Sequence, residues 1–271
     1  QGYMITYRNL GKLGRLGNEL FQYPGTRLYA HLNGFSFTMP AWEGSTTLFS
    51  DVHPWTPGQA ITANLLPTIF LDDVTSRTPL QRIGEALGLS SSSNMKHLWE
   101  HPRDWINIYG YMQDPHSLSM LSSHRELVQS WLQFHPEFSR VCRKQVQADT
   151  WTVVHIRRGD FVKRGFASEP EADIHRLRSD RVVGPLYIAS DDPTMASRFV
   201  DFETITPTPP VHISPVLFDF WMIANARAVY GCGSTFSWWG AFLSRQATYT
   251  SPPLTHTWHS GYKPELSLQH L

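Results

Sequence analysis

Two arginines, a glycine and an aspartate follow a mostly apolar run near the middle of the chain, at residues 157–160. The apolar run, residues 151–156, predicts a short buried strand, so the charged residues would lie just past its carboxyl end. Ligands of open α/β sheets bind in the crevice outside the strand ends. Because a guanidinium group binds phosphate through two parallel hydrogen bonds, Arg157 and Arg158 indicate a pyrophosphate site. The alternative is a surface ion pair between Arg158 and Asp160, without a ligand.

A second candidate anion site lies near the start of the chain. Residues 5–7 predict a strand, and the loop after it, residues 11–18, contains three glycines and two cations. Glycines let main-chain N–H groups approach an anion, and a helix amino terminus favours negative charge, although the spacing matches neither the dinucleotide fingerprint nor the P-loop. We expect a helix from Asn18, which would cap it or offer its amide to a ligand, to Asn33. Pro24 is expected to kink or shorten this helix.

A second strand of the C-terminal half also ends in polar residues. The strand predicted at residues 186–189 is followed by Ser190, Asp191 and Asp192, and a helix is expected from Pro193. Asp191 or Asp192 would bind a metal, a ribose or a guanine edge. The alternative, expected for one of the two, is that it only caps the helix.

A third strand, predicted at residues 228–232, leads through a turn into a very apolar helix that ends at Leu243. Ser234 and Thr235 can cap this helix and, with its N–H groups, would form a second anion site facing the first. The alternative is a capped core helix without a ligand. Three strands that end in polar loops favour a doubly wound parallel sheet.

The remaining elements must position these loops within two domains, which we place at residues 4–146 and 147–271. The sequence predicts strands at 69–71 and within 105–113, helices at 79–87, 124–134 and 216–226, a flexible surface loop at 90–93, and a charged, exposed segment at 166–181.

The composition excludes several kinds of partner. Of the 271 residues 23 are basic and 23 acidic, and this balance argues against nucleic acid, which favours basic domains. The 10 tryptophans suit sugar rings, whose C–H faces stack on aromatic side chains, although most tryptophans serve in cores. We expect Cys142 and Cys232 to be reduced and buried, and the alternative is a single disulfide between them. The 13 scattered histidines show no metal-binding motif.

The sequence contains no run long enough to span a bilayer and no secretory signal profile. Gln1 and Gly2 are typical of residues left by tag cleavage, which would make Met4 the natural start. We therefore expect a cytoplasmic protein, free or associated with a membrane. The alternative is a Golgi-lumenal catalytic domain cut from its membrane anchor.

Five motifs together resemble those of the α-1,2-fucosyltransferases, in that family's order and across nearly the whole chain. They are Leu-Gly-Asn-Glu-Leu-Phe-Gln-Tyr at 16–23, Gly-Tyr-Met-Gln at 110–113, His-Ile-Arg-Arg-Gly-Asp at 155–160, Ser-Asp-Asp at 190–192 and Ser-Thr-Phe-Ser-Trp-Trp at 234–239. The third and fifth motifs are specific. Arg15 departs from the family pattern by replacing a glycine, and Pro24 falls where a small residue is usual.

The resemblance implies an α/β, GT-B-like fold of two Rossmann-type domains whose parallel sheets face each other across a cleft. It implies transfer of L-fucose from GDP-β-L-fucose to the 2-hydroxyl of a terminal galactose, with inversion and without a metal or other cofactor. The partners would be GDP-fucose and a galactose-terminated oligosaccharide.

The resemblance also assigns roles in binding the donor. A metal-free enzyme must neutralise the charge of the departing nucleoside diphosphate with cations and N–H dipoles. Arg157 would take the β-phosphate, and Arg158 would support it or brace Asp160. The other donor-binding residues would be Gly17 and Asn18 from the first domain, and His155, Asp191, Asp192, Ser234, Thr235, Phe236 and Ser237 from the second.

Inversion calls for a base near the acceptor hydroxyl. Asp160 is the candidate within a motif, and Glu19, where the family usually has glutamine, is another. An oxocarbenium-like transfer that needs little base assistance is the third possibility. The expected catalytic residues are Arg157, Asp160 and Asn18.

Two other functions stay open. One is an enzyme of the protein O-fucosyltransferase type, which would not accept free galactosides. The other is a non-catalytic sugar- or nucleotide-binding protein, for which the aromatic residues and the Arg-Gly-Asp of 158–160 would suffice.

Overall fold

The protein consists of two compact α/β units. The computed structural model describes residues 4–73, 79–165, 170–180, 182, 184–245 and 247–251. The division between the units falls between Gln133 and Phe134.

The first unit contains a five-stranded parallel sheet in the order β2-β1-β5-β3-β4. Its strands are β1 (Met4–Thr6), β2 (Ser36–Thr38), β3 (Thr68–Leu71), β4 (Ser90–Ser93) and β5 (Ile106–Tyr109). Its helices are α1 (Leu16–Leu32), α2 (Pro57–Leu65), α3 (Pro79–Ala86), α4 (Met95–Glu100), α5 (Pro115–Ser123) and α6 (Arg125–Trp131), with a π-helical turn at Gly44–Leu48.

The second unit contains a four-stranded parallel sheet in the order β7-β6-β8-β9. Its strands are β6 (Thr152–Ile156), β7 (Leu186–Ser190), β8 (Ala228–Tyr230) and β9 (Thr248–Thr250). Its helices are α7 (Pro136–Arg143), α8 (Gly159–Arg164), α9 (Pro170–Ser179), α10 (Pro215–Ala224) and α11 (Thr235–Leu243), with a 3₁₀ helix at Pro193–Arg198.

The core of the second unit lies around β6, whose five residues are all buried. Burial on both faces is typical of a parallel strand covered by helices on each side. Val154 and Ile156 pack with Leu177 of α9 and Tyr230 of β8. Because β6, β7 and β8 run parallel, their carboxyl ends, and the polar residues that follow them, lie at one edge of the sheet.

The prediction of a flexible loop at residues 90–93 is wrong, because these four serines form the edge strand β4. Their backbone pairs in register with β3, from Thr68 opposite Ser90 to Leu71 opposite Ser93. Serine has little strand preference, but a partly exposed edge strand is held mainly by its backbone hydrogen bonds. The side-chain pattern therefore carried no signal for it.

The helix predicted from Asn18 begins two residues earlier, at Leu16, and Asn18 does not cap it. Pro24 does not shorten the helix, which continues to Leu32 as a single element of 17 residues. Asn33 ends it as predicted, and Gly34 follows with a positive φ of 68°, a conformation that favours glycine.

The segment 166–181, predicted to be charged and exposed, contains the helix α9. Residues 166–169 and residue 181 of this segment lie outside the described part of the chain. Leu177 is buried in the core. Asp173 is also buried, and it forms an ion pair with Arg176 one helical turn later. Periodicity alone did not show this burial, because the inward face of α9 includes a charged residue.

The unit boundary lies before α7, rather than near residue 146 as the sequence suggested. Helix α7 packs on α10 of the second unit, and the ring of Phe134, just before α7, lies 6.1 Å from that of Phe220 on α10. The indole Nε1 of Trp221 donates to Ser139 Oγ at 3.4 Å.

Cys142 and Cys232 are free and buried, as predicted. In the part of the chain that the structure describes, no helix is long and apolar enough to cross a membrane.

Candidate functional site

The loop after β6 is organised by a bidentate ion pair between Arg157 and Asp160. Arg157 Nε donates to Asp160 Oδ1 and Arg157 Nη2 to Asp160 Oδ2, both at 2.9 Å. The guanidinium carbon also lies 4.6 Å from the centroid of the Phe161 ring. Arg157 lies just before α8, which begins at Gly159, and Asp160 lies in the first turn of that helix. That Arg158 supports Arg157 or braces Asp160 stays a prediction. Of the five N–H donors that an arginine side chain carries, the pair with Asp160 engages two in Arg157.

The Ser-Asp-Asp motif at residues 190–192, at the end of β7, fixes the loop after β6 by hydrogen bonds. Ser190 Oγ donates to the Ile156 carbonyl at 2.7 Å, and the backbone N–H of Arg158 donates to Asp191 Oδ1 at 2.7 Å. A Cβ at Gly159 would lie 2.5 Å from Asp191 Oδ2, which explains the glycine between the arginines and Asp160.

Asp192 has the capping role that the alternative interpretation gave to one of the pair. Its Oδ1 accepts from the backbone N–H of Thr194 at 3.0 Å and from the Thr194 hydroxyl at 2.7 Å, at the start of the 3₁₀ helix. The hydrogen bonds to the described residues thus give Asp191 and Asp192 roles within the fold, and their contact with a ligand stays a prediction.

His155 brings the end of β6 against the amino terminus of α11. Its Nδ1 lies 3.4 Å from both Cys232 Sγ and Ser234 Oγ, and its ring lies 5.4 Å from that of Phe236. The residue is 8% exposed, and burial lowers the pKa of His155 to about 4, against an opposing effect of Asp219. The imidazole is therefore neutral at pH 7, with one donor and one acceptor nitrogen.

The start of α11 is capped as the sequence predicted. Ser234 accepts from the backbone N–H of Ser237, and the Ser237 hydroxyl lies 3.4 Å from that of Tyr249. Thr235 and Phe236, the first two residues of the helix, are partly exposed. A nine-residue helix thus directs its N–H groups to the edge of the sheet where β6 ends.

Asp219 is a candidate site residue that sequence reasoning missed. It lies partly buried on α10 and accepts a hydrogen bond from the Tyr187 hydroxyl of β7. Burial raises the pKa of Asp219 to about 6, and its charge acts on His155. The available signal was a single carboxylate within the apolar run of residues 217–223.

The candidate residues of the first unit lie in the first turn of α1. Asn18 Oδ1 accepts from Gln113 Nε2 at 2.8 Å, and a Cβ at Gly14 would lie 2.1 Å from Asn18 Nδ2. Gly17 and Glu19 are buried on either side of Asn18. Glu19 Oε2 has no hydrogen-bond partner among the residues that the structure describes. Burial, with a contribution from Glu43, raises the pKa of Glu19 to about 7.

The described residues contain no group of three or more His, Cys, Asp or Glu side chains that would hold a metal ion.

The fold is shared with solved fucosyltransferases. POFUT1 in complex with GDP-fucose aligns with a TM-score of 0.56 and 14% identity, over 91% of this chain and 98% of that one. The NodZ α-1,6-fucosyltransferase soaked with GDP-fucose aligns with a TM-score of 0.56 and 11% identity, over 92% of this chain and 95% of that one. NodZ from Bradyrhizobium aligns with a TM-score of 0.54 and 10% identity, over 92% and 94% of the two chains.

No protein-family model matches the chain, and no curated protein matches its sequence. At identities this low the structural likeness concerns the fold, and with a parallel sheet in each unit it confirms the expected GT-B-like α/β class.

Proposed function

We propose that this protein transfers L-fucose from GDP-β-L-fucose to the 2-hydroxyl of a terminal galactoside, with inversion and without a metal. The observation that carries the proposal is one edge of the second sheet. There the neutral His155 lies near the end of β6, the planar guanidinium of Arg157 follows it, and the amino terminus of α11 follows the neighbouring strand β8. Cations and N–H dipoles of this kind are what a departing diphosphate requires. POFUT1 and NodZ, which share the fold, have been solved with GDP-fucose.

In this proposal Arg157 binds the β-phosphate, and Asp160 holds its guanidinium plane in place. Both Asp160 oxygens accept from Arg157, so this carboxylate is engaged in orienting the fork. Asp160 therefore serves transfer better as a positioning group than as the base.

The N–H groups of α11 and the hydroxyls of Ser234 and Thr235 would hold the diphosphate from the other side. Phe236 would pack on the nucleotide. Asp219 suits the guanine edge, because a carboxylate can accept from two adjacent N–H groups, and the Tyr187 hydroxyl holds it in place. Parts played by Arg158, Gly17 and Asn18 in donor binding stay predictions.

Glu19 is the better candidate for the base. Its Oε2 has no partner among the described residues, and burial places its pKa near 7, where a base is most effective. Replacing Glu19 with glutamine should therefore remove an acid limb near pH 7 from the pH profile of kcat/KM. An unchanged pH profile of kcat/KM in Glu19→Gln would show that Glu19 is not the base.

The test of donor binding is calorimetry with GDP, GMP and ADP in the presence of chelator. We expect GDP to bind wild type and to lose most of its affinity in Arg157→Ala, while Arg140→Ala, an exposed arginine on α7, binds normally. GMP should bind weakly because it lacks the second phosphate. Equal GDP binding by wild type and Arg157→Ala would favour the non-catalytic binding protein instead.

The acceptor distinguishes this enzyme from one of the O-fucosyltransferase type, which the likeness to POFUT1 keeps open. The galactoside is supported by the resemblance of the ordered motifs, chiefly those at 155–160 and 234–239, to the α-1,2-fucosyltransferases. Incubation with labelled GDP-fucose and either free galactosides or folded polypeptides decides between them. Label transferred to polypeptide alone would overturn the galactoside proposal.

A further inference from the structure

The motif Gly-Tyr-Met-Gln at residues 110–113 follows β5, and so far only its Gln113 has been linked to a candidate site residue, Asn18. We propose that Asp73, which follows β3, is a positioning residue that fixes this 110–113 loop and, through Gln113, the side chain of Asn18. The inference rests on the proposed function, in which Asn18 takes part in transfer. All four groups belong to the first unit.

Gly110 begins the loop and is held by a single phenol. The Tyr7 hydroxyl donates to the Gly110 carbonyl at 2.7 Å and accepts from the Gly110 N–H at 3.2 Å. A Cβ at Gly110 would lie 2.5 Å from Leu71 Cβ and 2.7 Å from Asp73 Oδ1. The glycine of the motif is therefore required because the backbone passes directly over β3 and Asp73.

The carboxylate of Asp73 holds the middle of the loop. The Tyr111 N–H donates to both Asp73 oxygens at 3.0 Å, and the Met112 N–H donates to Asp73 Oδ2 at 2.9 Å. Hydrogen bonds from N–H groups to an ionised carboxylate are about twice as strong as those between neutral groups. Asp73 is 8% exposed, so little water competes for these bonds.

Met112 shows that the loop conformation is imposed by its surroundings. Its φ is 56°, in the left-handed region that a residue with a side chain rarely adopts. Met112 is buried, and a Cβ at Gly25 of α1 would lie 2.9 Å from its Cε. Strained backbone of this kind persists where the surroundings determine it strongly, and it concentrates at functional sites.

Gln113 transmits the position of the loop to α1. It is fully buried, and its Nε2 donates to Asn18 Oδ1 at 2.8 Å. On the other side of the Asn18 amide, the close approach of Gly14 leaves no room for a Cβ. The buried Gln113 thus orients the partly exposed amide of Asn18. Gln113 in turn directly follows Tyr111 and Met112, whose N–H groups bind Asp73.

The test is a double-mutant cycle between Asp73→Asn and Asn18→Ala, with Asp72→Asn as the matched control, because Asp72 is the exposed neighbour. An asparagine offers one acceptor and places an NH₂ group against the loop N–H groups, so Asp73→Asn should lower fucosyl transfer about tenfold or more. We expect it to change the same parameter, kcat or KM, as Asn18→Ala, and to have no further effect in the Asn18→Ala background. Additive losses, or lost stability with normal turnover, would overturn the inference.

A second readout does not depend on the enzyme's activity. In ¹⁵N NMR spectra, Asp73→Asn should shift the side-chain amide signal of Asn18, and Asp72→Asn should leave it in place. An unchanged Asn18 signal in Asp73→Asn would overturn the positioning role. A shifted signal in a protein without fucosyl transfer would refute the proposed function while supporting the link between Asp73 and Asn18.

Discussion

The guanidinium group of Arg157 and the carboxylate of Asp160 face each other through two parallel hydrogen bonds of 2.9 Å. Both side chains are partly exposed, at 21% and 31%, so the pair is accessible to a ligand without being a fully solvated surface contact. Because Asp160 already holds the Arg157 guanidinium in one orientation, binding a phosphate would cost this side chain little further conformational freedom.

Replacing Arg157 with lysine should lower the transfer rate by about a hundredfold although the positive charge is kept, because an ammonium group cannot reproduce the planar fork. Steady-state kinetics with GDP-fucose measures the loss. The matched control is Arg140→Lys, which alters another arginine paired with a carboxylate three residues away, on α7. Near-normal turnover by Arg157→Lys would rule out the proposed phosphate contact.

Glu19 should make the protein less stable as the pH rises. Burial raises the pKa of Glu19 from its usual 4.5 to about 7, so between these values the unfolded chain has released a proton that the folded protein retains. The free energy of unfolding then falls with rising pH across this window, by up to about 3 kcal/mol, and levels off above it. Urea unfolding at pH 5 and pH 8 should show that Glu19→Gln is stabilised relative to wild type at pH 8. If the free energies of unfolding of wild type and Glu19→Gln differ by the same amount at pH 5 and pH 8, the burial of Glu19 in the structure would be contradicted.

Gly159→Ala should destabilise the second unit by about 1–3 kcal/mol and weaken GDP binding, because the new methyl group would collide with Asp191 Oδ2. The collision also disturbs the hydrogen bond from Arg158 to Asp191 that holds the loop. Thermal unfolding and calorimetry measure the two effects. Gly58→Ala is the control, because a Cβ there has no atom within 4 Å. Equal stability of both variants would contradict the close packing at Gly159.

Prior treatment with chelator should leave fucosyl transfer unchanged, because Arg157 and the amino terminus of α11 are proposed to neutralise the departing diphosphate. The measurement compares turnover before and after chelation, and after addition of magnesium or manganese. A strict requirement for either metal would refute the metal-free mechanism.

The sequence by itself determined the local features of this protein. The strand β6 and the capping residue Ser234 were predicted, and so was a cap at one of Asp191 and Asp192, because strand length and helix capping depend on neighbours a few residues away. The parallel α/β class followed from the succession of such elements.

Only the tertiary structure decided which distant groups meet. It placed Asp219 against Tyr187, 32 residues away, and Asp73 against the N–H groups of a loop 38 and 39 residues later. It also made a strand of Ser90–Ser93, because β3 supplied the backbone partners. These outcomes depend on how whole strands and helices pack, and burial selects such partners without leaving a pattern in the local sequence.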